Sequence, residues 1–335
     1  MNTKIIRKVA VVGAGSWGTA LGNLFADQCE EVILWGRDND VVQGLNVRHE
    51  NSKYLKGVPL SPKLKATNQL EAALEGADLV VGSVPTQQIR GVMGPVASKL
   101  RSAIILNSSK GIELGTHLRV SEIYQELIPE AQYAIISGPS FALEVAERLP
   151  TAVTVACQSR EVGTLIQKQL SNSYFRVYTS TDVSGVELAG ALKNVVAIAT
   201  GVVTGLGLGY NAQAAVINRG IAEIMRMGKR FGAEPLTFLG LAGTGDLILT
   251  CTGPLSRNRT LGVKLGQGKA LSEIQRELGG VAEGVYTAQS ARELAQRNEI
   301  DMPITEQVYQ MLYQNKSARQ ALIDLMGRDL KEEWS

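Results

Sequence analysis

The sequence is poor in the residues that build metal and disulfide sites. It has three cysteines in 335 residues, Cys29, Cys157 and Cys251, and no two of them form a CxxC spacing. Such scattered cysteines argue against a disulfide framework or a zinc ribbon, and we expect them to be small buried core residues. Only two histidines are present, His49 and His117. We therefore predict no metal and no histidine base.

The chain also lacks a block of like charge and a long apolar run. Its formal net charge is +2, and its unclustered basic residues argue against nucleic-acid binding. The most apolar stretch, residues 195–209, is shorter than the roughly 20 residues of a membrane span. Its Gly201-xxx-Gly205 spacing suits close helix packing in a protein core as well as in a membrane. We predict a buried helix, no membrane span and a cytoplasmic protein, because the first strand leaves no room for a signal peptide.

Short apolar runs alternate with helical patterns in the first half of the chain. Strands are predicted at residues 9–12, 32–35, 79–82, 103–106, 133–137, 151–156 and 176–178, and helices at residues 16–27, 87–100 and 162–170. This alternation predicts crossover connections and a mostly parallel sheet. From residue 182 onward the pattern is helical. We expect an α/β domain at residues 1–181 and an all-α domain at residues 182–335.

A glycine-rich turn follows the first predicted strand. Gly13, Gly15 and Gly18 form a GxGxxG pattern between that strand and a helix. In a dinucleotide-binding turn the first glycine permits the tight bend, the second lets the pyrophosphate approach, and the third lets the helix pack against the sheet. The helix N-terminus then faces the phosphates. The strand–turn–helix context predicts an NAD(P)-binding Rossmann domain.

The end of the second predicted strand bears on which dinucleotide binds. NAD-specific sites usually carry an acid there for the ribose hydroxyls, whereas this chain has Gly36, Arg37 and Asp38. The guanidinium of Arg37 suits a 2′-phosphate, which favours NADP(H) with NAD(H) also usable. Asp38 stands one residue late and could instead cap the following helix. The alternative interpretation of Arg37 is an exposed surface arginine.

The second half contains a polar pair inside an apolar helix. Lys193 and Asn194 interrupt a pattern that begins near Glu187 and is hydrophobic nearly all round, which predicts burial. A buried lysine has a lowered pKa and can protonate a carbonyl oxygen, and its positive form stabilises a developing alkoxide. The small neighbours Ala189 and Gly190 would leave room for a ligand. The alternative is a lysine that reaches solvent at the helix edge.

Three further clusters place polar groups beside glycines at the predicted cofactor edge of the sheet. They are residues 109–111, residues 137–140, and the glycine loop 240–246 with the donors at residues 256–259. Each has a simpler interpretation as turn chemistry or a solvated face. Together they predict a site for a phosphorylated small molecule.

Over nearly its whole length the chain resembles the bacterial NAD(P)-dependent glycerol-3-phosphate dehydrogenases. The motifs that carry the resemblance are residues 13–18, 109–113, 137–142, 187–194, 240–246, 256–259 and 281–284. The resemblance implies reversible reduction of dihydroxyacetone phosphate to sn-glycerol 3-phosphate, which feeds glycerophospholipid synthesis. It also implies a Rossmann domain joined to an all-helical domain like that of 6-phosphogluconate dehydrogenase, with the active site between them. A homodimer is expected without any motif that carries it.

The resemblance implies roles for individual residues as well. Lys193 would be the general acid/base, and Asp246 would hold it or a substrate hydroxyl in place. The substrate would be surrounded by Lys110, Gly138, Ser140, Lys193, Asp246, Ser256, Arg257 and Asn258. The cofactor would contact Gly13, Gly15, Ser16, Trp17, Gly18, Arg37, Tyr54, Lys110, Ala142, Arg257, Val281 and Glu283. Tyr210 and Asn218 differ from the residues usual in the family, but outside these motifs.

Two other functions stay open on the residues alone. One is a different hydroxyacid dehydrogenase on the same two-domain plan, which would not need a phosphate on its substrate. The other is a non-catalytic nucleotide sensor, because a fold does not fix a function. A sensor would have no use for a buried lysine.

Overall fold

A computed structural model describes residues 5–100, 103–278, 280, 282–330 and 332–333. The strands are β1 Lys8–Val12, β2 Glu31–Trp35, β3 Leu64–Thr67, β4 Leu79–Gly82, β5 Ile104–Asn107, β6 Gln132–Ser137, β7 Thr151–Cys157 and β8 Phe175–Ser180. The first seven helices are α1 Ser16–Ala26, α2 Asn39–Gln43, α3 Leu70–Leu74, α4 Ile89–Met93, α5 Val120–Leu127, α6 Ala142–Ala146 and α7 Arg160–Leu170. The later helices are α8 Val183–Gly205, α9 Gly209–Arg230, α10 Asp246–Thr252, α11 Arg257–Gly266, α12 Leu271–Leu278, α13 Glu283–Arg297, α14 Pro303–Tyr313 and α15 Ala318–Met326.

One sheet organises the first part of the chain. Its strand order is β3-β2-β1-β4-β5-β6-β7-β8, and all neighbouring pairs are parallel except the antiparallel pair β6 and β7. Successive strands are added to one side of β1 up to β3 and to its other side from β4 onward. This reversal of strand order between β1 and β4 marks the place where open parallel sheets bind ligands. This confirms the predicted Rossmann domain with a helical part after it. The division between residues 181 and 182 stays a prediction.

Helices cover both faces of the sheet because its central strands are apolar on both sides. In β1, Val9 and Val11 belong to the same buried cluster as Leu21 of α1, whereas Ala10 and Val12 belong to the cluster on the opposite face. Successive side chains of a strand point to opposite faces, and a strand buried on both faces is typical of a covered parallel sheet. The three cysteines are free and buried, as their scattered positions predict.

Two segments differ from the sequence-based prediction. Residues 87–100 are expected to form one helix, but α4 is flanked by 3₁₀ turns at Thr86–Gln88 and Gly94–Lys99. Pro95 stands at the start of the second turn, where it cannot donate an α-helical hydrogen bond. Strand β3 is not predicted at all. It is a four-residue edge strand in which only alternate residues are buried, so its pattern is too short to recognise.

Helix α8 is the central element of the second part. By length and composition it could cross a membrane, but its most apolar window is wholly buried inside the protein. A Cβ on Gly201 would lie 2.2 Å from the carbonyl oxygen of Arg259 on α11, and one on Gly262 would lie 2.0 Å from the carbonyl oxygen of Ile198. The two backbones therefore touch only because both residues are glycines. The Gly201-xxx-Gly205 spacing is thus close helix packing in a protein core.

Candidate active site

Lys193 lies buried in the middle of α8, where α10 holds its ammonium group. The side chain is 8% exposed, so it does not reach solvent at the helix edge. Its Nζ donates to Asp246 Oδ1 and to Thr250 Oγ1, each at 2.7 Å. Those two acceptors are one turn apart on α10 and therefore face the same way. Burial lowers the pKa of Lys193 to about 8, against the opposing attraction of Asp246.

Lys110 brings a second ammonium to the same carboxylate from the loop after β5. Its Nζ lies 2.5 Å from Asp246 Oδ2. Burial alone would raise the pKa of Asp246, but the two ammonium groups outweigh it and lower that pKa below its usual value. Two cations thus face one anion in a buried cluster. The excess positive charge suits an anionic ligand.

Glycine residues bring the backbone segments of this cluster together. A Cβ on Gly243 would lie 2.2 Å from the carbonyl oxygen of Phe238, so the turn before α10 needs a glycine there. Gly138 has a φ of +151° and follows β6, whose Ser137 Oγ donates to Asp246 Oδ2 at 3.4 Å.

The space beside Gly190 is not left for a ligand, in contrast to the sequence-based interpretation. A Cβ on Gly190 would meet Ser137 Oγ at 3.3 Å and the Lys110 side chain at 3.4 Å. Gly190 therefore makes room for Lys110, which crosses α8 there to reach the carboxylate.

The donors at the start of α11 have different tasks from one another. The hydroxyl of Ser256 accepts from the backbone N–H of Arg259 at 3.2 Å and caps the helix. Asn258 donates to Asn194 Oδ1 at 2.9 Å and accepts from the N–H of Gly284 at 3.1 Å. Arg257 is exposed and forms no ion pair within the described part of the chain. Its guanidinium is thus free to bind a ligand, and the Nε of half-buried Arg259 is likewise without a hydrogen-bond partner in the described residues. Ser140, the remaining predicted substrate contact, donates its hydroxyl to the carbonyl of Gly138 at 2.9 Å.

The glycine turn after β1 has the geometry of a pyrophosphate cradle. Gly13 has a φ of +123°, and a Cβ there would lie 2.5 Å from the carbonyl oxygen of Ser83. A Cβ on Gly18 would lie 1.9 Å from the carbonyl oxygen of Gly13, whereas nothing stands within 4 Å of a Cβ on Gly15. No side chain caps α1, so its first amides are free to bind an anion. Half-buried Trp17 lies in this first turn.

The edge of the sheet after β2 carries the residues predicted to choose the dinucleotide. Arg37 is exposed. Asp38 Oδ1 accepts from the N–H groups of Asp40 at 3.0 Å and Val41 at 3.4 Å, so Asp38 caps α2, one of the two roles open to it. The carbonyl of Tyr54 accepts from the Ser16 hydroxyl at 2.5 Å.

Glu283 reaches from the start of α13 to the loop after β4. Its Oε1 accepts from the N–H of Thr86 at 3.3 Å, and its Oε2 is buried with no hydrogen-bond partner in the described residues. Burial raises the pKa of Glu283 to about 7. This Oε2 oxygen lies beside Gly111, 3.1 Å from the position of a Cβ there, and is a candidate ligand contact. Ala142 begins α6 and packs partly buried against the core next to α1, and Val281 lies outside the described residues.

One side chain of the cluster, Thr250, is not predicted from the sequence, and it holds the ammonium of Lys193. Asn194, the polar neighbour of Lys193 in the sequence, links α8 to Asn258 on α11. A polar residue four positions after Asp246 in an apolar run was the available signal for Thr250. Glu187 lies outside this cluster. Its carboxylate accepts from the backbone N–H and the hydroxyl of Ser121 at 2.7 and 2.6 Å and so joins α8 to α5.

Two family models match this chain. The model described as NAD-dependent glycerol-3-phosphate dehydrogenase N-terminus matches residues 8–163. The model described as NAD-dependent glycerol-3-phosphate dehydrogenase C-terminus matches residues 182–323.

Individual proteins are similar over nearly the same length. A glycerol-3-phosphate dehydrogenase (NAD(P)+) of Citrifermentans bemidjiense is 52% identical over 330 residues, covering 97% of this chain and 98% of that protein. Its counterpart in Myxococcus xanthus is 51% identical over 328 residues, with the same coverage of 97% and 98%. The crystal structure of glycerol-3-phosphate dehydrogenase from Coxiella burnetii superposes with a TM-score of 0.92 at 39% identity, covering 96% of this chain and 99% of that one.

Proposed function

We infer the chemistry of this site from one premise, that the chain belongs to the NAD-dependent glycerol-3-phosphate dehydrogenase family. The protein reduces dihydroxyacetone phosphate to sn-glycerol 3-phosphate with NAD(P)H, and the product feeds glycerophospholipid synthesis. Neither a general hydroxyacid dehydrogenase nor a non-catalytic sensor is needed to explain the site. The observation that carries the assignment of roles is the buried Lys193 ammonium, held by Asp246 and Thr250.

In this proposal Lys193 supplies and removes the proton. A nicotinamide cofactor held by the glycine cradle would supply hydride to the C2 carbonyl of the substrate, whose oxygen then needs a proton. The Nζ–H of Lys193 gives its proton to that oxygen, and the neutral amine then recovers a proton from water. With a pKa of about 8, both the ammonium and the amine are populated near neutral pH, which suits an acid in one direction and a base in the other. Asp246 and Thr250 fix the direction of the ammonium.

The substrate phosphate is proposed to bind the cationic groups at the mouth of the site. Lys110 comes from the sheet part, after β5, and Arg257 from the helical part, at the start of α11. Ser256 and Asn258 act through position, because their hydrogen bonds are already made within the protein. They orient the first turn of α11 and with it the guanidinium. The remaining substrate contacts proposed from the motifs are Gly138, Ser140, Lys193 and Asp246.

The cofactor is proposed to lie across the glycine cradle with NADP(H) preferred and NAD(H) also used. The pyrophosphate would meet the open space at Gly15 and the free amides of α1, and the 2′-phosphate would meet Arg37. The full set of proposed cofactor contacts is Gly13, Gly15, Ser16, Trp17, Gly18, Arg37, Tyr54, Lys110, Ala142, Arg257, Val281 and Glu283.

We also propose a cytoplasmic homodimer. Three free cysteines suit a reducing compartment. Leu208 and Tyr210 at the start of α9 are 37% and 86% exposed, and we propose them as part of the dimer surface. Sedimentation of the wild-type protein and of a Tyr210→Asp variant tests the dimer, which the variant should weaken.

The first experiment follows NADPH absorbance with purified protein and dihydroxyacetone phosphate. We expect rapid consumption by the wild type and a loss of about 10²–10⁴-fold in kcat for Lys193→Met, with NADPH binding retained. Unphosphorylated dihydroxyacetone should be a poor substrate, because the cationic groups then have nothing to bind. A folded wild type that binds NADPH but does not turn over dihydroxyacetone phosphate would contradict the proposal.

A further inference from the structure

Two charged side chains pair at the edge of the sheet after β2, next to a third charged residue in the chain. Lys53 Nζ lies 2.6 Å from Asp38 Oδ2, with the two side chains 55% and 32% exposed. Arg37, next to Asp38 in the chain, is exposed and has no ion-pair partner within the described residues. The ammonium of Lys53 also lies 5.4 Å from the centre of the Tyr54 ring. The edge thus carries two cations and one anion.

The loop that carries Lys53 is fastened to the glycine cradle. Buried Asn51 donates to the carbonyl of Ala14 at 3.0 Å and to Thr19 Oγ1 at 2.8 Å. The N–H of Tyr54 in turn donates to Asn51 Oδ1 at 3.1 Å. Because Asn51 ties the loop to the turn that cradles the pyrophosphate, Lys53 is held at the adenosine end of the cofactor site.

The carboxylate of Asp38 is already engaged at both oxygens. Oδ1 accepts from two backbone N–H groups of α2, and Oδ2 is paired with Lys53. The Lys53 ammonium holds the pKa of Asp38 below its usual value, so the carboxylate stays ionised. Asp38 is thus built as a helix cap and a counter-ion, not as an acid that waits for ribose hydroxyls.

We propose that Lys53 is a second cation of the 2′-phosphate site beside Arg37, and that Asp38 is the counter-ion that holds Lys53 in place and limits the preference for NADPH. This inference rests on the proposed use of both cofactors. With NADH, Lys53 stays paired with Asp38. With NADPH, the 2′-phosphate draws the Lys53 ammonium toward itself. The exchange is easy because an exposed ion pair is weak.

The proposal predicts opposite effects for the two partners. Lys53→Met removes an attraction that exists only with the 2′-phosphate, so it should weaken NADPH and spare NADH. Asp38→Asn keeps an oxygen that can cap α2 but removes the negative charge beside the 2′-phosphate. It should therefore tighten NADPH binding and leave NADH binding nearly unchanged. A merely structural role for the pair would affect both cofactors alike.

Equilibrium binding without substrate tests this, with quenching of tryptophan fluorescence as the readout. For Lys53→Met we expect the Kd for NADPH to rise about tenfold, which corresponds to the loss of one hydrogen bond to a charged group. The Kd for NADH should change less than about twofold. The NADPH effect should shrink as salt is added. Lys53→Arg should retain most of the NADPH affinity. The matched control is Lys56→Met, an exposed lysine three residues along the same loop, which should leave both constants unchanged.

Two results would overturn the inference. One is an equal loss of NADPH and NADH affinity in Lys53→Met, and the other is no loss for either. Weaker NADPH binding in Asp38→Asn would likewise contradict the role given to Asp38. Reduction of dihydroxyacetone phosphate by the wild type is measured in parallel with each cofactor. Its absence with both would contradict the proposed function, whereas unaltered NADPH binding in Lys53→Met would contradict only the role of Lys53.

Discussion

At the scale of single residues, the protonation of Lys193 decides the direction in which the enzyme works best. Burial sets its pKa to about 8. Reduction needs the ammonium, so kcat/KM for dihydroxyacetone phosphate should be highest below pH 8 and fall as pH rises through it. Oxidation of glycerol 3-phosphate needs the neutral amine and should rise over the same range. Rate profiles in both directions on either side of pH 8 measure this, and profiles that move together would contradict it.

Thr250 offers a finer test of the same ammonium. Its hydroxyl oxygen accepts from Lys193 Nζ at 2.7 Å and so stabilises the charged form. Thr250→Val keeps the shape and removes the acceptor, which should lower the pKa of Lys193 further. A hydrogen bond to a charged group contributes about 1.5–3 kcal/mol, and 1.36 kcal/mol is one pH unit. We expect the falling limb of the reduction profile to move about one to two units toward acid.

The control for this variant lies on the same helix. Thr252 is exposed and its hydroxyl donates to the carbonyl of Ile248 at 2.8 Å. Thr252→Val should leave the pH profile in place. A Thr250→Val enzyme with an unmoved profile but a lower rate would mean that Thr250 serves α10 and not the ammonium.

The same residues mark what the sequence can predict of the site. Lys193 is identifiable because a lysine inside an apolar helix breaks the pattern. Its partners are harder to find, because Thr250 meets Lys193 only through the crossing of α8 and α10, which no local pattern encodes. Ser256 and Asn258 resemble phosphate donors in sequence, yet their hydrogen bonds are made within the protein. Distance in space, not residue type, separates these cases.

At the scale of elements, the contact between α8 and α11 joins the catalytic lysine to the proposed phosphate site. Gly201→Ala would place a Cβ 2.2 Å from the carbonyl oxygen of Arg259 and force the helices apart. Such overpacking costs about 1–3 kcal/mol of unfolding free energy. It should also loosen the hydrogen bond between Asn194 and Asn258 and lower turnover. Urea unfolding and steady-state rates measure the two effects.

Gly91→Ala is the matched substitution in an uncrowded helix. Gly91 lies exposed in α4, and nothing stands within 4 Å of a Cβ there. Alanine should be neutral or slightly stabilising at this position, because it favours the helix. Equal losses of stability in Gly201→Ala and Gly91→Ala would show that the close approach of α8 and α11 is not what the glycine provides.

The elements also show where sequence patterns lose information. The seven predicted strands are present, with ends that differ by at most two residues, because buried parallel strands are continuous apolar runs. Strand β3 has no continuous apolar run, because it is an edge strand in which only alternate residues are buried. The spacing of Gly201 and Gly205 predicts a close helix contact, but it does not identify the partner helix. That partner, α11, follows from the tertiary structure alone.

At the scale of the whole molecule, pairs of ionisable side chains among the described residues connect the sheet to the helical part. Lys110 pairs with Asp246, and His117 Nε2, on the loop after β5, is hydrogen-bonded to Glu293 Oε2 of α13 at 2.5 Å. The third pair joins the guanidinium of Arg119, just before α5, to the buried carboxylate of Glu187 at 3.6 Å. Charges buried across an interface are costly to leave unpaired. We therefore expect the two parts to hold a fixed relation around the catalytic cluster.

The pair of Lys110 and Asp246 allows that coupling to be measured. Asp246→Asn leaves two ammonium groups without their anion, and the loss of one partner of a buried pair costs about 3–5 kcal/mol. Lys110→Met removes one of those cations, so the double variant should lose less than the sum of the single losses, by about 0.5–3 kcal/mol. The exposed pair of Arg148 and Asp27, 2.9 Å apart within the sheet part, should give a smaller coupling.

Urea unfolding of the four proteins of each cycle, followed by tryptophan fluorescence and by circular dichroism, gives the free energies. Coincident transitions with a coupled cycle mean that the site holds the two parts together, whereas an additive cycle or two separate transitions would mean that the pair serves the chemistry alone.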